Sequence, residues 1–247
     1  MNRPLVSIIT VAYNSEGTIG KTIESVLNQT YPRIEYLIID GASRDKTVVV
    51  AQSYRECFDK KGYRYRIVSE PDRGIYDAMN KGIRLAEGEI IGLINSDDWY
   101  EPDAVAMSAY TMLKTESDIT FGQILLHKKN GRTMLKRAQT TGLETSRHWN
   151  HPTMFVRTKV YRAFPFPCKG IHDDYTVYLS MKKAGKKITV IPKVLAHFQT
   201  GGESNEKSLK KAVCRIRDRY RCYRDNGYSR LYIVECILME TAKLILS

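Results

Sequence analysis

Apolar positions along the chain fall into short blocks of two kinds. "LVSIITVAYN" (5–14) is nearly continuous and rich in β-branched residues, which suits a strand covered on both faces. "EGTIGKTIESVLNQ" (16–29) instead spaces Ile19, Ile23, Val26 and Leu27 at helical intervals. The alternation continues with a strand at 34–41, ending in Asp-Gly, and a helix at 43–58 that opens on Ser and Asp. A weaker strand follows at 63–70, then a helix at 75–86 and a strand at 88–98. Strand and helix in strict alternation predict parallel strands in an α/β sheet. Ligands of such sheets sit outside the carboxyl ends of the strands. The polar residues at those ends are Asn14, Asp40, Glu70 to Arg73, and Asn95 to Asp98.

The second half is less regular. Residues 103–114 read as a helix, and 118–135 as a hairpin turning at Asn130-Gly131. Residues 151–164 mix both signals. "DDYTVYLSMKKAGKK" (173–187) predicts an amphipathic helix with acids at its start and cations at its end, as the helix dipole prefers. "ITVIPKVLAHF" (188–198) predicts a strand broken at Pro192, and two helices fill the chain from about 203. The division expected is 1–202 as one domain, with halves 1–98 and 99–202, and 203–247 as a helical extension.

Composition narrows the class. The 247 residues are 43% hydrophobic and 27% charged, which fits an ordered globular protein. No apolar run reaches the roughly 18 residues of a membrane span, and the N-terminus has no signal-peptide shape. The five cysteines form no CxxC pair, which argues against a zinc site or a disulfide framework and for a reducing cytosol. The net charge of +12 is concentrated in "KSLKKAVCRIRDRYRCYR" (207–224). Such a face could meet nucleic acid, an anionic lipid surface or only water, and since no nucleic-acid module accompanies it, lipid ranks above nucleic acid.

Candidate chemistry centres on "LINSDDWYEP" (93–102), where a buried strand runs into two adjacent carboxylates. Taken alone, this is either an Asp-rich turn or a site where a hard cation relieves the repulsion. No glycine-rich dinucleotide loop or Walker loop follows the first strand, so any phosphate would need a metal and an arginine.

In order, "VSIITVAYN", "IIDGASRDKT", "EPDRGIYDAMNKG" and "GLINSDDWYEPDA" closely resemble the inverting family 2 glycosyltransferases. The resemblance implies the GT-A fold, a Rossmann-like, mostly parallel sheet flanked by helices, here with the C-terminal helical extension. It also implies sugar transfer from a nucleotide diphosphate donor with a divalent metal, Mn2+ or Mg2+. On this resemblance Ala12, Tyr13, Asn14 and Glu16 frame the nucleotide, with Tyr13 beside the base. Asp40 matches the acid on the uracil edge, and Arg73 the basic residue near the phosphates. "NSDD" takes the place of the family's Asp-x-Asp motif. Asp97 is then the metal ligand, Asp98 an outer ligand, and Asn95 and Ser96 nucleotide contacts. Asn95 departs from the family, which has aspartate there.

Further along, "GIHDDYTVYL" resembles the family's acidic pair at a helix start. Asp174 is then the catalytic base, with Asp173 beside it on the acceptor side. His197 falls where some members place a third metal ligand, and Gly201-Gly202 where a loop closes over the donor. Trp149, by stacking on a sugar, and His151 are acceptor-side candidates. The implied enzyme takes a sugar, from a UDP-sugar by expectation, to a saccharide or lipid-linked saccharide acceptor for surface polysaccharide. It would be cytoplasmic and peripheral at the inner membrane face, held there by the basic segment and residues such as Leu231, Ile237 and Leu238. The same helices could instead pair two copies or pack on their own domain. Two readings compete with the enzyme. A nucleotidyltransferase would need a glycine-rich basic loop that is absent here. A non-catalytic sugar-nucleotide-binding or scaffold subunit draws support from Asn95, but has no use for Asp97, Asp174 and Arg73 together.

Overall fold

The computed structural model describes residues 3–200 and 209–246. The strands are β1 (Val6–Ala12), β2 (Ile34–Asp40), β3 (Arg64–Ser69), β4 (Ile90–Asn95), β5 (Trp99–Tyr100), β6 (Ile119–His127), β7 (Thr133–Lys136), β8 (Phe155–Arg157) and β9 (Ile188–Gln199). The helices are α1 (Ile19–Leu27), α2 (Thr47–Ser53), α3 (Arg55–Lys61), α4 (Ile75–Leu85), α5 (Ala104–Thr115), α6 (Thr158–Ala163), α7 (Asp173–Lys183), α8 (Leu209–Asp225) and α9 (Tyr232–Leu246). Among the described residues these strands form one sheet in the order β3-β2-β1-β4-β8-β6-β9-β5, with β7 hydrogen-bonded to β6. The predicted α/β sheet is present.

β1, β2, β3 and β4 are parallel, and every residue of β1 and β2 is buried, as their unbroken apolar runs require. Their register aligns Ala12 with Asp40, Asp40 with Ser69, and Val11 with Asn95. The strand ends therefore form one continuous rim. Beyond β4 the sheet becomes mixed, because β8 runs antiparallel to both β4 and β6.

Three elements differ from expectation. The helix expected at 43–58 is two helices, because the Tyr54 amide bonds the Ala51 carbonyl in a tighter turn and α3 restarts there. β9 continues through Pro192, because its pairing with β6 shifts register between Gly122 and Ile124. A bulge tolerates a residue that cannot donate to the ladder. Gly122 permits this close approach, since a Cβ there would lie 2.7 Å from the Leu195 side chain. The acidic turn after β4 leads straight into β5, which pairs with β9 and sets Trp99 opposite His197.

The C-terminal helices share a core with the sheet. Cys222, Tyr223 and Cys236 belong to the same buried cluster as Trp149, Tyr175 and Tyr178. This corrects the picture of 207–224 as a free basic face. Arg215 and Arg219 are buried and face Glu240 of α9, at 2.6 and 3.1 Å. Buried charges persist only when paired in this way. Apolar residues remain outside on α9 and just before it: Leu231, Val234, Ile237 and Leu238 are all exposed. None of the described helices is long and apolar enough to cross a membrane. Gly201-Gly202 and the start of the basic segment lie outside the described residues.

Candidate active site

The rim is built from the loops that leave β1, β2, β3 and β4. Tyr13 projects from the first and is 60% exposed, an aromatic face open to solvent. Asn14 and Ala42 both hold left-handed φ angles, 48° and 61°. That conformation costs an alanine roughly 1–2 kcal/mol. The two loops are stitched together. Asn14 donates its amide to Ser43 Oγ and accepts from the Arg44 amide, at 2.8 and 2.9 Å. Glu16 accepts from the Lys46 amide at 2.8 Å. Asn14 and Glu16 thus hold the loops that frame Tyr13, and Ala12 is buried beneath it.

Asp40 is placed differently from the expected base contact. It is fully buried and accepts from the Ser43 amide, the Ser43 hydroxyl and the Ser69 hydroxyl. Its carboxylate shapes the loop from below. Asp72, which the sequence marks as a rim residue without a role, lies close to Gly41, as Tyr13 does. A Cβ on Gly41 would sit 2.7 Å from Asp72 Oδ2 and 3.4 Å from Tyr13 Cδ2. Glycine at 41 leaves room for both the Asp72 carboxylate and the Tyr13 ring. Arg73, next in the chain, is exposed and pairs with Asp77 at 3.3 Å.

At the end of β4, Ser96 Oγ bonds Ser15 Oγ at 2.8 Å, tying the acidic turn to the first loop. Asp97 is half-buried and Asp98 fully buried. Burial pushes the Asp97 carboxyl up. Burial and the neighbouring Asp97 charge push Asp98 well above the ordinary carboxylate range. Asp98 Oδ1 accepts from the Gln199 amide, while Asp98 Oδ2 and Asn95 Oδ1 are buried without a hydrogen-bond partner. Buried acceptors left unpaired are costly. An all-oxygen set with two such atoms suits a hard cation such as Mg2+ or Mn2+. Among the described residues, no group of three or more His, Cys, Asp or Glu is placed to hold a metal. A cation at Asp97 and Asp98 therefore depends on donor oxygens for the rest of its shell.

His197 is not available to complete that shell. Its Nε2 bonds Glu101 Oε1 at 2.7 Å and its Nδ1 bonds His127 Nε2 at 2.9 Å. Its ring stacks on Trp99, with the Lys21 ammonium over the same indole. The cross-strand pairing of β5 with β9 brings these rings together, so His197 serves that cluster instead.

Asp173 and Asp174 open α7. Asp173 is buried and accepts from the Lys169 amide at 2.6 Å, so it fixes the preceding loop. Asp174 keeps 22% of its side chain exposed. Burial raises its carboxyl above the usual value, and His151, the Tyr175 amide and Tyr76 partly offset this. Tyr76 links this acid to the rim. It lies against Asp174, donates to the Ile171 carbonyl at 2.9 Å, and stands four residues after Asp72. Trp149 is 6% exposed, packed against Tyr175 and Tyr178, with its indole N–H on Met154 Sδ. It has no open face for a sugar. His151 is 8% exposed and is likewise a poor acceptor contact.

Comparison with known proteins shows the family and the fold. The family model "Glycosyl transferase family 2" matches residues 7–177, from β1 into α7. The chain belongs to that family. It is 37% identical over 120 residues to the putative glycosyltransferase EpsH of Bacillus subtilis, covering 49% of this chain and 33% of EpsH. It is 40% identical over 104 residues to an Escherichia coli chondroitin synthase, covering 42% of this chain and 15% of the synthase. The chain thus matches a third or less of the length of these two relatives. Among solved structures, S. aureus TarS 1–349 in complex with UDP-GlcNAc superposes with a TM-score of 0.66 at 18% identity, covering 97% of this chain and 72% of that one. The mannosyltransferase PcManGT from Pyrobaculum calidifontis, in complex with GDP-Man and Mn2+, gives 0.67 at 18% identity, covering 100% and 71%. The fold is that of these glycosyltransferases.

Proposed function

We propose that the chain is a metal-dependent, inverting glycosyltransferase that passes a sugar from a UDP-sugar to a saccharide acceptor. The observation that carries this reading is a rim with Tyr13 and Asp72 both close to Gly41 at one end and the half-buried Asp174 beside Tyr76 at the other. One end offers a stacking platform and a carboxylate for a base. The other offers a proton acceptor. Neighbouring β4 supplies Asp97 and Asp98 for a cation, and that cation would neutralise charge on the departing diphosphate.

In the proposed reaction the acceptor hydroxyl attacks the anomeric carbon as its proton passes to Asp174. The new C–O bond forms on the face opposite the breaking bond to the nucleotide diphosphate, which inverts the configuration. Arg73 would reach the phosphates by turning from its pairing with Asp77, in which its own side chain is 84% exposed. UDP-GlcNAc in the TarS complex favours a uridine donor. Chondroitin synthase among the relatives favours a saccharide product. Thermal unfolding of the full chain with Mn2+, UDP, GDP and each nucleotide–metal pair tests the donor. UDP with Mn2+ should stabilise more than either alone and more than GDP with Mn2+. A larger effect from GDP would reassign the donor.

The acceptor proposed is lipid-linked, serving surface polysaccharide at a cytoplasmic membrane face. Its support is the exposed apolar set Leu231, Val234, Ile237 and Leu238, with exposed Arg217, Arg224 and Arg230 on the same two-helix unit. Such a surface suits an anionic bilayer, each cation near it adding about 1 kcal/mol. Co-sedimentation with anionic but not neutral vesicles, weakened by salt, is expected. A concentration-dependent dimer that ignores vesicles would assign the face to a second copy.

A further inference from the structure

His151 is a buried histidine for which neither packing nor the proposed reaction so far gives a use. Both of its ring nitrogens are buried without a hydrogen-bond partner. A neutral imidazole carries one N–H and one acceptor nitrogen. Burying both unpaired is costly, and burial holds this imidazole below the usual histidine range, which keeps it neutral. Among the described residues, the acid recorded against it is Asp174, whose Oδ2 lies 3.9 Å from His151 Nδ1. The other Asp174 oxygen, Oδ1, already accepts the Tyr175 amide at 2.7 Å.

The imidazole is held in place from two sides. Trp149 meets it edge-on with centroids 5.7 Å apart, and Phe166 does so at 6.4 Å. The Trp149 indole is itself pinned to Met154 and to the α7 tyrosines. The backbone around His151 is fixed as well. Asn150 donates to the Gly122 carbonyl at 2.8 Å, and Thr153 Oγ1 accepts from the Gly122 amide at 3.0 Å. The aromatic cluster that removes Trp149 from the acceptor pocket thus aims His151 at the acid on α7.

We propose that His151 is a positioning residue for Asp174: its Nδ1–H points at Asp174 Oδ2, orients that carboxylate toward the acceptor and favours its ionised, proton-accepting form. This rests on Asp174 being the base. A small shift of the Asp174 carboxylate, the more exposed of the two side chains, would close 3.9 Å to a hydrogen bond. The groups that face Asp174 are few. Tyr76 comes from α4, Tyr161 from α6, Cys222 from α8 and Asp173 from its own helix. The phenols and the thiol are neutral at pH 7, and Asp173 opposes ionisation. His151 is the one imidazole donor in the set.

Two measurements on the full chain test this. The first needs no substrate: nitrogen-15 NMR of the histidine rings in the wild type and in Asp174→Asn. His151 should be the Nδ1–H tautomer in the wild type, and its Nδ1 signal should move in the variant. An Nε2–H tautomer that Asp174→Asn leaves unchanged would overturn the proposal. The second follows UDP release from UDP-N-acetylglucosamine or whichever UDP-sugar the wild type consumes, in His151→Gln and His151→Phe. His151→Gln keeps a donor, and should keep more turnover than His151→Phe. The latter should lose about tenfold in kcat, the worth of one hydrogen bond, with donor affinity unchanged. Its acid limb in the pH profile should move to higher pH, because Asp174 loses the contact that favours its charge. A fall in kcat with an unmoved limb would mean packing alone and would also overturn the proposal. If Asp174→Asn keeps its turnover, the base reading fails, while the NMR result still reports whether the pair exists.

Discussion

Asp174→Asn is expected to bind the donor as the wild type does and to lose turnover by roughly two to four orders of magnitude, the range for removing a positioned general base. The substitution preserves shape and can still accept the Tyr175 amide at the start of α7, so the fold should survive. The pH dependence has a definite sign. Burial raises the Asp174 carboxyl above its ordinary value. Turnover should therefore rise with pH through a limb above the usual carboxylate range as the base ionises. The same shift makes the ionised acid a cost to the fold. A carboxyl raised in the folded state contributes stability below its unfolded pKa, and that contribution is lost as pH rises through the folded value. At neutral pH Asp174→Asn should thus be no less stable than the wild type. Near-native turnover in this variant would place the base elsewhere.

The parallel half of the sheet is legible in the sequence because its signals are local. "VSIITVA" and "IEYLIID" are apolar runs of strand length, each broken by polar residues, and the register of buried parallel strands lines those breaks up. "NSDD" reads as a site because like charges at the end of a buried strand need a reason. What the sequence hides is burial and pairing across distance. Asp40 and Asp72 are both rim acids in one dimension, and only the loop packing shows that Asp40 is sealed below while Asp72 lies with Tyr13 close to Gly41. Trp149 and His151 read as acceptor residues until α7 and Phe166 are seen to close around them. His197 sits at a plausible interval from the acidic pair, but the pairing of β5 with β9 commits both of its nitrogens elsewhere. The basic segment is read from charge alone, and Glu240, far along the chain, takes two of its arginines into the interior. Gly41, directly after Asp40, is a signal in the sequence that a side chain approaches this loop closely, though only the fold shows that Asp72 is that side chain.

The central claim is that the carboxylates after β4 hold a nucleotide diphosphate through a divalent cation. Asp97 is the residue to remove, because it is the more exposed of the two carboxylates and has fewer structural partners than Asp98, one oxygen of which holds the Gln199 amide. In the wild type, UDP and Mn2+ together should stabilise the fold by about 2.7 kcal/mol at a hundredfold excess over the dissociation constant. Either alone should do far less, because the cation joins carboxylate to diphosphate. Asp97→Ala should fold, since the substitution relieves the repulsion on Asp98, and should lose the metal-dependent part of the gain. The decisive measurement is a calorimetric titration of wild type and Asp97→Ala with UDP, each with and without Mn2+. The account predicts that Mn2+ tightens UDP binding to the wild type and leaves binding to the variant unchanged. Equal tightening in both proteins would contradict it.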